Sequence, residues 1–234
     1  MASGSRPAGT GLFITIEGPD GSGKTTQAER LAAWLAARDV PVHLTREPGG
    51  TWLGERLREV LLARTAEGST PTDALTDALL FNAARRQIVR EVIRPALAAG
   101  TTVVCARYAD STLAYQGYGA GVSLDRLRTL ADLATDGLVP DLTVLLDVPA
   151  AEALARKTPG EVTRFESEFD AGFHQRVRAG FLAMAAAEPE RFTVIDATQP
   201  IDAVTAGVVG SVDRRLGRGD ERSEPSPPRV RINT

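Results

Sequence analysis

Gly18-Pro19-Asp20-Gly21-Ser22-Gly23-Lys24-Thr25 follows the apolar run Leu12-Phe13-Ile14-Thr15-Ile16, with Thr26 next in line. The octet satisfies G-x-x-x-x-G-K-[ST], and its context matters more than its letters. A strand feeding a glycine-rich turn and then a helix aims a row of backbone N–H groups at one point, where a polyphosphate fits. Gly18, Gly21 and Gly23 let the backbone approach phosphate oxygens, and Lys24 reaches the β- and γ-phosphates as a point charge. The Thr25 hydroxyl is a candidate Mg²⁺ ligand. A chance match in a surface turn would lack the flanking strand and helix.

Composition narrows the partners. The 234 residues carry a net charge of −3, so there is no general basic field and nucleic acid is not expected as a partner. Phosphate binding must rest on local positive charge. Cys105 is the one cysteine and sits in an apolar run, so neither a disulfide framework nor a cysteine-ligated metal site is available, and the cytoplasm is the expected compartment. No apolar stretch approaches the roughly 18 residues of a membrane span, and Glu17 interrupts the first apolar run too early for a signal-peptide core.

Residues 1–10 and 218–234 are small, charged or proline-rich and aperiodic, and both ends are expected to be disordered. Between them, one domain over 11–217 alternates strands near 12–17, 41–46, 101–106, 141–147 and 191–195 with helices. The helical patterns cover 24–38, 52–64, 72–99, 123–136, 150–157, 164–188 and 200–216. This alternation implies an α/β fold of three layers, a five-stranded parallel sheet with helices on both faces. In such sheets ligands gather outside the carboxyl ends of the strands. Polar clusters stand at four of those ends: Gly18–Thr25, Arg46-Glu47-Pro48-Gly49-Gly50, Arg107-Tyr108-Ala109-Asp110 and Asp147-Val148-Pro149. All four are expected to face one crevice.

The segments F-I-T-I-E-G-P-D-G-S-G-K-T-T-Q, R-E-P-G-G-T, L-F-N-A-A-R-R-Q, S-T-L-A-Y-Q-G, P-D-L-T-V-L-L-D-V and I-D-A-T-Q-P occur in this order along the chain. In order and spacing they resemble the thymidylate kinase family over about residues 11–217. The resemblance implies a P-loop fold and transfer of the γ-phosphoryl of ATP, with Mg²⁺, to dTMP. Residue by residue, it implies that Asp20 holds the sugar 3′-hydroxyl and that Phe81 stacks on thymine. Arg85, one turn beyond Phe81, contacts the acceptor nucleotide, and Arg46 and Arg107 complete a cage around its phosphate. Thr112, Tyr115 and Gln116 read the base edge and pack on deoxyribose, Thr198 lies beside adenine, and Glu47 belongs to the nucleotide-binding set. Asp147 ends the fourth apolar strand, where P-loop enzymes often place a metal-holding carboxylate; capping the next turn is its other possible role. A homodimer is implied too, with the long pattern at 72–99 as a candidate helical interface.

Two departures from the family stand out. Its Asp-Arg pair at the end of the third strand is Ala106-Arg107 here, so a carboxylate that would organise Mg²⁺ is missing. The lid, about 155–165, retains only Arg156, Lys157 and Arg164, with Thr163 where an aspartate is usual; Arg156 or Arg164 is the candidate to stabilise the transferring phosphoryl. Three alternatives stay open: a kinase for another pyrimidine monophosphate, modified ones included, a deoxynucleoside kinase with Glu47 as base, and a nucleotide-binding protein with little catalysis.

Overall fold

The computed structural model describes residues 11–156, 163, 165 and 169–220. The expectations for residues 1–10 and 221–234, for Arg164 and for most of the lid lie outside the described residues. In chain order the elements are β1 (Phe13–Glu17), α1 (Lys24–Ala36), β2 (Val42–Arg46), α2 (Trp52–Leu62) and α3 (Ala74–Ile88). A π-helical turn (Val89–Ile93) joins α3 to α4 (Arg94–Ala98), and β3 (Thr102–Ala106) follows. Next come α5 (Ala109–Thr112), a second π-helical stretch (Leu113–Gly119), α6 (Leu124–Thr135), β4 (Leu142–Asp147) and α7 (Ala150–Ala155). The last described elements are α8 (Ala171–Ala187), β5 (Phe192–Asp196) and α9 (Ile201–Asp220).

All five strands run parallel in the order β2-β3-β1-β4-β5. The three inner strands are almost wholly buried, whereas the edge strands β2 and β5 consist mostly of half-buried and exposed residues. Alternation along each strand feeds two apolar layers. Ile14, Ile16, Val104, Val144 and Leu146 pack with Ala28, Leu31 and Leu35 of α1 and Val204, Val208 and Val212 of α9. On the other face Phe13, Val103 and Cys105 meet Ile88, Val89, Ile93 and Tyr108, and Leu145 meets Phe173, Val177 and Phe181 of α8. This is the α/β architecture expected from the sequence.

The long 72–99 pattern is continuous helix with a widened turn just before Pro95. Proline lacks an N–H and crowds the carbonyl four residues back, and a π turn relieves that conflict without breaking the helix. The segment 109–119 is helical although its spacing suggested no helix, because its i→i+5 turns do not follow a 3.6 period. Helix α8 begins at Ala171, where the Asp170 carboxylate accepts from the Phe173 N–H at 2.6 Å, later than the expected start at 164.

Candidate active site

A cleft of about 780 Å³ opens along the carboxyl ends of β1, β2 and β3. Helix α1 is preceded by Gly23, which has φ +89° and offers no side-chain cap, and its first residues Lys24, Thr25 and Thr26 line the cleft, where uncapped amides suit an anion. Gly18 and Gly21 also have positive φ, and a Cβ at Gly21 would fall 1.8 Å from the Ala153 carbonyl oxygen of α7. No other residue fits there. Lys24 is folded against the loop, its Nζ donating to the carbonyls of Gly18 at 3.0 Å and Pro19 at 2.6 Å and to Ser22 Oγ at 3.4 Å.

Across the cleft Arg107 holds Asp20. One Nη of Arg107 meets Asp20 Oδ1, and the Tyr115 hydroxyl donates to Asp20 Oδ2 at 2.6 Å. The other Nη reaches Ser111 Oγ at 3.4 Å. Burial works to lower the Arg107 pKa, but Asp20, Tyr115 and Glu17 outweigh it and raise it above its ordinary value. Burial first, then Asp20, pushes the Tyr115 hydroxyl well up, so it stays a neutral donor.

Arg85 is enclosed beside the cleft. Its Nε donates to Glu47 Oε2 at 2.8 Å, Nη1 to Asn82 Oδ1 at 2.9 Å, and Nη2 to the Tyr108 carbonyl at 3.0 Å and Thr112 Oγ1 at 3.1 Å. Glu47 is buried, and its second oxygen has no hydrogen-bond partner among the described residues. Burial raises the Glu47 pKa to about 7 against the pull of Arg85. Phe81 lines the cleft 6.0 Å from the ring of Phe165.

Of the residues expected from sequence, Asp20, Gly21, Gly23, Lys24, Thr25, Thr26, Glu47, Phe81, Arg85, Arg107, Thr112, Tyr115, Gln116 and Arg156 line this cleft. Gly18 and Ser22 act from behind, as carbonyl and hydroxyl acceptors for Lys24. Arg46 does not line it; this half-exposed side chain pairs with Glu55 at 3.1 Å. Thr198 lies outside the lining in a turn tied to Asp196, although Arg156 donates to the neighbouring Ala197 carbonyl at 2.9 Å. Asp147, a candidate either to hold metal at the crevice or to cap the next turn, is not among the residues that line the cleft. Both its oxygens are taken by Arg178 of α8, at 2.7 and 2.9 Å. Only three of the four strand-end clusters share the crevice.

The sequence did not single out Arg58, which lines the cleft from α2 and donates to the Pro48 carbonyl at 2.9 Å. Its burial and the nearby Arg46 lower its pKa, with Arg107 adding to and Glu55 opposing the shift. Spacing held the signal: Arg58 is four residues after buried Gly54 and three before buried Leu61, on the inward face of its helix. Pro48, Leu62, Tyr108, Ser111, Thr163 and Phe165 complete the lining.

As for Mg²⁺, Thr25 is a suitable hard-oxygen donor in the cleft, whereas Ala106 is apolar and Asp147 is occupied by Arg178. Among the described residues no three acidic, histidine or cysteine side chains form a metal cluster. That donor set fits a magnesium ion carried largely by nucleotide phosphates and water.

The family model described as Thymidylate kinase matches residues 16–208. The chain is 53% identical over 206 residues to the thymidylate kinase of Deinococcus radiodurans, covering 88% of this chain and 98% of that protein. With the thymidylate kinase of Solidesulfovibrio magneticus it shares 50% identity over 213 residues, covering 88% of this chain and all (100%) of the relative. The crystal structure of thymidylate kinase from Ehrlichia chaffeensis superposes with a TM-score of 0.71 at 38% identity, covering 87% of this chain and 99% of that one.

Proposed function

The chain belongs to the thymidylate kinase family, and from that premise we propose how its cleft carries out the reaction. It is a nucleoside monophosphate kinase that phosphorylates dTMP. We take ATP as donor: loop 18–25 cradles its phosphates, Lys24 leaves the loop carbonyls to meet the β/γ end, and Arg156 approaches from α7. Thr25 would hold the Mg²⁺ that accompanies ATP, and that ion would neutralise charge on the β- and γ-phosphates.

The acceptor side is read from the rest of the lining. Phe81 offers its ring to thymine, with Thr112, Tyr115 and Gln116 at the base edge and the sugar, and Asp20 accepts from the 3′-hydroxyl. Glu47 and Arg85 form the rigid floor, and Arg58 and Arg107 take the 5′-phosphate. Two guanidiniums that repel each other across an open cleft are relieved by an anion between them. An acceptor phosphate oxygen then bonds to the γ-phosphorus as the bond to the β,γ-bridging oxygen breaks, and ADP leaves with that electron pair. A phosphate monoester with a second pKa near 6 is mostly dianionic at pH 7, so no general base is required. Catalysis is positioning and charge neutralisation.

The observation that carries this reading is one cleft lined by both the phosphate loop and the Phe81–Arg85–Tyr115–Gln116 group, joined through the Asp20–Arg107 pair. It is tested by measuring ADP release from MgATP with dTMP, dUMP, dCMP, UMP and thymidine offered separately. Turnover with dTMP well above the others is expected; silence with dTMP alongside measurable ATP binding refutes it. We further infer a homodimer, supported by exposed Leu75 and Leu79 one turn apart on α3 and exposed Trp52 and Val60 on neighbouring α2. A cytoplasmic location is inferred from the soluble substrates and the single buried Cys105; neither nucleic acid nor membrane has a role in it.

A further inference from the structure

Arg107 occupies an unusual backbone position. Its φ is +70°, in the left-handed region that non-glycine residues seldom enter. Three contacts hold the turn. The Arg107 N–H donates to the Ile16 carbonyl at 3.0 Å. The next residue is held through both of its backbone groups, the Tyr108 N–H donating to Glu17 Oε1 at 2.7 Å and the Tyr108 carbonyl accepting from Arg85 at 3.0 Å. The remaining oxygen of Glu17 accepts from the Ser111 hydroxyl at 2.6 Å, and Ser111 Oγ is the acceptor for one arm of the Arg107 guanidinium.

Glu17 is wholly buried at the last position of β1, on the sheet face opposite Ile16. A buried carboxylate is costly unless it is hydrogen-bonded, and here both oxygens are used on the segment that presents Arg107. Asp110 is the adjacent acid, and it is neutralised by Arg191 through contacts of 2.6 and 3.0 Å. The strand bearing Arg107 ends in Ala106, which offers no carboxylate of its own. The acidic groups acting on Arg107 therefore come from β1 and the phosphate loop.

We propose that Glu17 is a positioning residue for phosphoryl transfer, acting through Ser111 and the Tyr108 peptide to fix both the backbone turn and one guanidinium arm of Arg107. Asp20 fixes the other arm. With both arms held, the guanidinium meets the acceptor phosphate without reorganising, and small displacements of such a group lower rates steeply. The proposal rests on the reading of Arg107 as the acceptor-phosphate residue.

A double-mutant cycle separates the two ideas. Glu17→Gln keeps the side-chain shape but cannot accept from both Tyr108 and Ser111, and it is expected to lower kcat/KM for dTMP by about tenfold or more with KM for ATP unchanged. In the Arg107→Ala background the same substitution is expected to have less than about a twofold effect, because the group it positions is gone. Ser111→Ala, which removes the link while leaving Glu17 on the Tyr108 amide, should show a smaller loss in the same pattern and serves where Glu17→Gln folds poorly by its melting curve. An equal loss in both backgrounds, or a matching rise in the KM for ATP, overturns the role of Glu17 alone. An Arg107→Ala protein with normal dTMP kinetics overturns the reading of Arg107 instead.

Discussion

Arg178 binds both carboxylate oxygens of Asp147, Nε at 2.7 Å and Nη2 at 2.9 Å, joining the end of β4 to α8. Two parallel charge-assisted bonds leave that carboxylate little capacity for a cation. Asp147→Asn is therefore expected to leave the Mg²⁺ concentration for half-maximal turnover unchanged. The pair is partly exposed, so its loss should cost about 1 kcal/mol, or roughly 2–4 °C in Tm for a domain of this size. A several-fold rise in the Mg²⁺ requirement would return Asp147 to the metal site.

At the end of β3, Ala106 is paired with Ile16 and packs in the apolar cluster with Ala28 and Leu31 of α1, close to the start of that helix. A carboxylate introduced there lies under the helix that bears Lys24 and Thr25. Ala106→Asp is expected to lower the half-saturating Mg²⁺ concentration or raise kcat. It should also lower Tm, since a carboxylate pressed into that cluster costs about 1–3 kcal/mol. Metal titrations of turnover beside melting curves check both; unchanged kinetics would mean that the metal is organised without this position.

Local patterns carried most of the fold and much of the cleft into view from sequence alone. The phosphate loop is legible because strand, glycines, lysine and helix are contiguous, and the central strands are legible because burial on both faces demands unbroken apolar runs. The pairing of Asp147 was not legible because its partner, Arg178, lies 31 residues further on, where no local spacing reveals it. Arg58 is hard to pick out because α2 also carries Glu55, Arg56 and Glu59, and only the burial of Gly54 and Leu61 shows which side is inward. Glu17 looked like the polar end of a strand, and only the approach of Tyr108 and Ser111 gives it a task.

Arg58 and Arg46 make a direct contrast. Arg58 faces the cleft with its charge destabilised by burial and by Arg46, whereas Arg46 is half exposed and occupied by Glu55. Removing a charge-assisted contact costs about 1.5–3 kcal/mol, so Arg58→Ala should raise KM for dTMP by about tenfold to a hundredfold. Arg46→Ala should change it by less than about threefold, in line with an exposed ion pair. Steady-state kinetics with varied dTMP at saturating ATP would settle the order, and a larger effect at Arg46 would restore it to the acceptor cage.

Two buried carboxyl groups should make stability depend on pH in an uncommon direction. Burial lifts Glu47 from 4.5 to about 7 against Arg85, and burial together with Asp110 lifts Glu17 from 4.5 to about 7. Between these values the folded chain keeps protons that the unfolded chain has released, so stability falls as pH rises through this window. The contribution is fully present below about 4.5 and is lost as pH passes about 7. Melting curves at pH 5, 6, 7 and 8 should show a declining Tm for the wild type, a shallower decline for Glu47→Gln, and the shallowest for Glu47→Gln combined with Glu17→Gln. A wild-type decline that persists unaltered in the double variant would place the titrating groups elsewhere. A Tm that climbs from pH 5 to 7 in the wild type would mean that Arg85 and the Ser111 hydroxyl hold both carboxylates ionised despite their burial.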